Sequence, residues 1–100
     1  MLKISIIEAR HERRLVVEGK LIAPWTAEFK HVCDHASENL EDRQLVIDMK
    51  NVTAISDEGG NVLFPLMNKG VKFRYCGVFT KQVFRQLARR VRRELSKTGK

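Results

Sequence analysis

The sequence predicts a small α/β domain: a mixed sheet of about four or five strands with three or four helices. Three observations predict it. The 100 residues suffice for one two-layer core and not for a second. Apolar periodicity switches along the chain in the order strand, strand, helix, strand, helix, strand, helix, which implies parallel strands joined by crossover helices. The run QLVIDM at 44–49 is β-branched and almost continuously apolar, the pattern of a central strand buried on both faces.

Each element follows from its own pattern. Leu2, Ile4 and Ile6 alternate with Lys3 and Ser5, a half-buried strand. RLVVEG at 14–19 is a second strand, reached through the charged turn RHERR, so the two should pair as a hairpin. Pro24 suits the first position of a helix, where its missing N–H has no partner to lose. Trp25, Phe29, Val32, Cys33 and Ala36 then recur at steps of three and four and should pack inward, Trp25 as a core or rim anchor. After the central strand comes a helix over roughly 57–69, with Pro65 expected to kink or break it and Gly70 to stop it. VKFRYC at 71–76 is the last strand. Thr80 is positioned to cap the final helix, with Phe79 and Phe84 spaced as a hydrophobic staple. Phe84, Leu87, Ala88, Val91 and Leu95 give that helix one apolar stripe.

The composition excludes several classes. With 43% hydrophobic residues and two prolines the chain should fold rather than remain disordered. No run approaches the roughly 18–20 apolar residues of a membrane span. The N-terminus lacks a secretory pattern, so a cytoplasmic location is expected. Cys33 and Cys76 stand alone, and both are expected as small buried apolar side chains.

The net charge of +7 is uneven. Residues 1–80 hold 11 basic and 11 acidic residues, whereas residues 81–100 hold 8 basic residues and only Glu94 as an acid. Lys81, Arg85, Arg89, Arg93 and Lys97 are spaced by four, opposite the apolar stripe, with Arg90 and Arg92 widening the band. Like charges at that spacing repel by a few tenths of a kcal/mol, about 0.2–0.5 per pair, which an acidic partner would relieve. Nucleic acid is the less favoured partner, because no aromatic residue is interleaved for stacking. Anionic lipid would attract the band, but the apolar stripe should be used by the core, leaving nothing to insert.

Little else suggests chemistry. His31 and His35 are four apart with Cys33 and Asp34 between them, but Cys33 falls on the other side of the helix and no further ligand is supplied. No metal, cofactor or catalytic residue is therefore assigned, and no enzyme activity is expected. The remaining feature is NVTAISDEGGNVL at 51–63, a strand end and helix start carrying Asp57 and Glu58. Carboxylates in a first helical turn, with Ser56 as N-cap, are stabilising by roughly 0.3–1 kcal/mol each. The glycine pair does not make a phosphate cradle, because no Lys and Ser/Thr follow and the two acids would repel an anion.

LVVEGKLIAPW, LVIDMKNVTAISDEGGNVL and GVKFRYCGVFTKQVFRQL together resemble the STAS domain of bacterial anti-sigma-factor antagonists over residues 2–90. The resemblance implies a single STAS-like domain over 1–95, followed by a disordered basic tail at 96–100. It implies a role in signal transduction and transcription regulation through protein binding. Asp48 falls on the Asp ending the family's central strand, Ser56 on the Asp of its corner, and Gly59 on the glycine after two serines. Asp57 is the phosphosite equivalent, standing where switching members carry a phosphorylatable serine, so a negative charge is built in. A serine kinase cannot act at Asp57, which puts the ordinary phospho-switch in doubt. The partner surface is expected at Ser56, Asp57, Glu58, Gly59 and Asn61, with a basic contact at Arg85, Arg89 and Arg93. The implied partner is an anti-sigma factor or related kinase-like protein, or a transporter subunit as in STAS members of lipid-transport complexes.

Overall fold

The computed structural model describes the backbone of residues 2–98 and the side chains of residues 2–93. Seven elements follow in order: β1 (Leu2–Glu8), β2 (Glu12–Leu21), α1 (Trp25–Ala36), β3 (Gln44–Ile55), α2 (Asp57–Asn68), β4 (Lys72–Arg74) and α3 (Val78–Thr98). The sheet order is β1-β2-β3-β4, with β1 antiparallel to β2 and the other two pairings parallel. This is the mixed α/β sheet expected from the order of patterns. Helix α3 runs three residues past the expected end of the domain at 95; the last two residues of the expected tail lie outside the described ones.

One face of the sheet carries the core. Leu2, Leu15, Val17, Leu45, Ile47 and Met49 meet Phe29, Cys33 and Ala36 of α1, Leu63 and Leu66 of α2, and Phe84 and Leu87 of α3. The other face is not covered by a helix layer, which corrects the expectation that β3 is buried on both sides. Its residues are charged or half-exposed: Lys3, Ser5, Arg14, Glu18, Asp48, Lys50, Lys72 and Arg74. Val46 is buried on that face, flanked in register by Arg14 and Lys72, whose aliphatic stems can cover it.

β3 is also longer than its apolar run. Two irregularities in its pairing with β2 insert extra residues, so the buried positions step from Met49 to Val52 by three rather than two. That phase change conceals residues 50–55 from a period-two reading. β4 is shorter than expected, since only Lys72, Phe73 and Arg74 pair with β3.

Three helix boundaries differ from expectation. Pro24 precedes α1 at the N-cap rather than occupying its first turn. Pro65 does not end α2: Leu63 and Leu66 are buried on either side of it. Their burial contributes roughly 1.5–3 kcal/mol each, enough to offset the ~3 kcal/mol an internal proline costs. The stop does fall at Gly70. The Gly70 N–H donates to Met67 O (3.1 Å) and the Val71 N–H to Leu66 O (3.1 Å), a Schellman closure around a left-handed glycine. Helix α3 begins two residues before Thr80, because the carbonyl of Gly77 (φ 91°) accepts its first hydrogen bond from Lys81 N–H. Thr80 lies inside the helix and is buried, Phe79 is exposed, and the expected cap and staple do not form.

The end of the sheet at the β1–β2 turn is tied by charge. Arg13 donates to Glu8 Oε1 (2.8 Å) and to the carbonyls of Ala36 and Glu38 (both 2.8 Å), which lack helical partners at the end of α1. Arg43 donates to the same Glu8 oxygen at 2.8 Å. The Arg13 hydrogen bond chiefly holds the Glu8 carboxyl below the usual carboxylate range.

Candidate functional site

The acidic corner lies at the opposite end of the sheet, where β2 and β3 finish side by side. There the Ser56 N–H donates to Leu21 O (3.1 Å), anchoring the end of β3 to the end of β2. Ser56 then acts as the N-cap of α2: its Oγ accepts from Gly59 N–H (3.2 Å), and its carbonyl accepts from Gly60 N–H (2.9 Å). The same hydroxyl lies 3.4 Å from Leu21 O as donor. Gly59 is fixed by space. A Cβ there would lie 2.7 Å from Leu21 O, so only hydrogen lets the helix start this close to β2.

This packing aims Asp57 and Glu58 outward. Both are exposed on the first turn of α2, and Asn61 is exposed one turn further on. Of the set expected to bind a partner, Ser56, Asp57, Glu58 and Asn61 therefore share one start of one helix at the surface, whereas Gly59 is buried against Leu21 and is out of a partner's reach. Beside them a groove of about 280 Å³ separates the corner from α3, with Ser56, Asp57 and Asn61 on one wall and Val83, Gln86 and Arg90 on the other.

Arg90 is the basic residue that the structure brings to the corner. Its Nη1 donates to Asn61 Oδ1 (3.1 Å), and its guanidinium sits over the Phe64 ring at 4.2 Å from the centroid. Arg85, Arg89 and Arg93 are all exposed, but Arg85 lines a different groove with Phe73 and Tyr75. A signal for Arg90 was present in the sequence: it lies three positions after core residue Leu87, on the flank of α3 that faces α2.

The corner can act chemically as a recognition surface. Two carboxylates accept and one guanidinium donates, and the two negative charges complement the positive end of the α2 dipole. The remaining candidates lie elsewhere. Cys33 is buried on α1, and burial, with a smaller contribution from Asp34, pushes its thiol up to about 12, so it stays protonated near neutral pH. His31 and His35 meet edge to face at 4.5 Å on the exposed side of α1. Cys76, expected to be buried, is exposed after β4, with Sγ 3.9 Å from Lys50 O. Among the described residues, no three His, Cys, Asp or Glu side chains converge as a metal site would require. No helix among them is long and apolar enough to cross a membrane.

No protein-family model matches the chain, and no curated protein is significantly similar to it.

Proposed function

We propose that this chain is a non-catalytic protein–protein interaction module of STAS type, resembling the anti-sigma-factor antagonists. Its partner surface centres on the exposed Asp57, Glu58 and Asn61 with half-buried Ser56 beside them, and Asp57 supplies a fixed charge where switching members carry a serine; Gly59 is buried and sets the backbone beneath that surface. One observation carries the reading. Asp57 and Glu58 are exposed on a helix start whose backbone is held by the Ser56 cap and the Gly59 contact, so the charges are presented in one orientation. A preorganised polar surface binds with less loss of freedom than a mobile loop would. The Ser56 hydroxyl supports the absence of a serine switch, because it is engaged as the helix cap. The partner is an anti-sigma factor or kinase-like protein, or a subunit of a transport complex.

The test is a nuclease-treated pull-down from native lysate at physiological salt, with the wild type beside Asp57→Lys. A stoichiometric protein should be captured by the wild type and lost with the variant. The variant should remain folded, since reversing one charge at a helix start costs about 1 kcal/mol. Equal capture by both chains would sink the site assignment. Recovery only when nuclease is omitted, equal for both, would instead favour a nucleic-acid-binding module using α3.

A further inference from the structure

Between Glu58 and Glu94 the sequence holds nine Lys and Arg residues and no Asp or Glu. At the end of β4 and the start of α3, within this stretch, three apolar side chains face solvent. Val78 is 80% exposed, Phe79 48% and Tyr75 39%. Isolated exposed apolar residues are ordinary, but here three fall within residues 75–79 of a stretch rich in cations.

We propose that this junction docks on an anionic membrane surface, with Val78 and Phe79 entering the lipid interface and Lys81 and Arg85 meeting lipid phosphates. Lys81 lines a groove of about 420 Å³ with Tyr75 and Val78, which places its side chain beside these two apolar residues. The adjoining groove holds Lys81 and Arg85 together with Tyr75. Tyr75 is itself fixed, its ring stacked on Phe84 at 4.4 Å and 7°. Cations therefore flank a braced apolar tip, the composition of surfaces that lie in the interfacial layer. Phe84 and Leu87 of the α3 stripe are used by the core as expected, but Val78 and Phe79 precede that stripe and lie outside the core, which leaves them available to insert.

Other occupants fit less well. A second copy docked through the same face would set one predominantly basic surface against another. Nucleic acid would satisfy the cations and could stack a base on Phe79, but it would gain nothing from Val78, the most exposed of the three at 80%, and one face of Tyr75 is already taken by Phe84. Asp48 pairs in register with Arg74 and offsets it in part, so the proposal rests on Lys81 and Arg85. This surface is separate from the partner corner, which meets α3 through Arg90, so either reading can fail alone.

The test is co-sedimentation of the full chain with vesicles of phosphatidylcholine alone and of equal parts phosphatidylcholine and phosphatidylglycerol, at physiological salt. The wild type should sediment with the anionic vesicles only. Lys81→Glu with Arg85→Glu should weaken binding by roughly 25-fold or more, about fivefold for each cation lost. Val78→Ser with Phe79→Ser should weaken it by on the order of tenfold with the charge unchanged. Asp57→Lys should sediment at least as well as the wild type. Absence of sedimentation with anionic vesicles would overturn the proposal, as would wild-type binding by the serine variant. So would tight binding of duplex DNA together with failure to bind vesicles.

Discussion

At the corner, Ser56 uses its N–H, its carbonyl and its hydroxyl to join β2, β3 and α2, and one added methyl at Gly59 would strike a backbone oxygen. At the junction of β4 and α3, Val78 and Phe79 face solvent, Cys76 is exposed, and a Cβ built on Gly77 meets nothing within 4 Å. The two regions lie on different flanks of α3 and are built in opposite ways. One spends all its local groups on holding a backbone still, so that only charges project. The other leaves apolar surface uncommitted. A rigid charged platform suits recognition of a shaped partner, while an exposed apolar tip suits a soft one.

The largest expected effect breaks the first region. Gly59→Ala should destabilise the domain by about 1–3 kcal/mol, the range for an overpacked site, because the obstacle is backbone at 2.7 Å. Thermal unfolding followed by circular dichroism measures it. Val78→Ser with Phe79→Ser provides the contrast: although it changes side-chain volume far more than one added methyl does, its midpoint should lie close to that of the wild type, as for surface changes within about 0.5 kcal/mol each. A Gly59→Ala midpoint equal to that of the wild type would show that the corner is not the rigid platform described here.

The same contrast explains what could be read from the sequence. The corner was legible because its determinants are local: a serine, two acids and two glycines in succession encode a cap and a close helix start. The core of α1 was legible for the same reason, through steps of three and four from Phe29 to Cys33 and Ala36. The junction is not legible, because Thr80, Phe79 and Phe84 meet the spacing of a cap and staple, yet Gly77 at positive φ starts the helix two residues earlier, and Phe79 is exposed. The full length of β3 is hidden because its irregular pairing breaks the period-two signal, and its sidedness is hidden because Val46 is buried without a helix over it. Arg90 reads from the sequence only as a member of the basic band, because its place three residues after core residue Leu87 marks a flank of α3 but does not say that α2 packs against that flank.

The two cysteines report on the same difference with a smaller perturbation. Cys33 belongs to the packed layer beneath α1 and α2, with its thiol pushed up to about 12, whereas Cys76 lies at the open junction. Maleimide added to the native protein at neutral pH should modify one site, Cys76, and a second should appear only after denaturation, as read by intact mass. Rapid modification of both would show that the core layer opens readily and that the contrast between regions is one of degree.

The smallest expected effect concerns the far end of the sheet, where charge rather than packing makes the connection. Arg13, foremost through its hydrogen bond, and Arg43 hold the Glu8 carboxyl below its ordinary range, so ionised Glu8 favours the folded state. A depressed folded pKa adds stability above the unfolded value, and that contribution is lost as the pH falls through the folded one. Glu8→Gln should therefore lower the melting midpoint modestly at neutral pH, and the gap to the wild type should close below the ordinary carboxylate range. Because β2 and β3 run their full length between this network and the corner, neither capture of the corner's partner nor vesicle binding should change in the variant. A loss of either would mean that the sheet transmits strain from its charged end, and that the rigidity of the corner depends on more than the serine and glycine that build it.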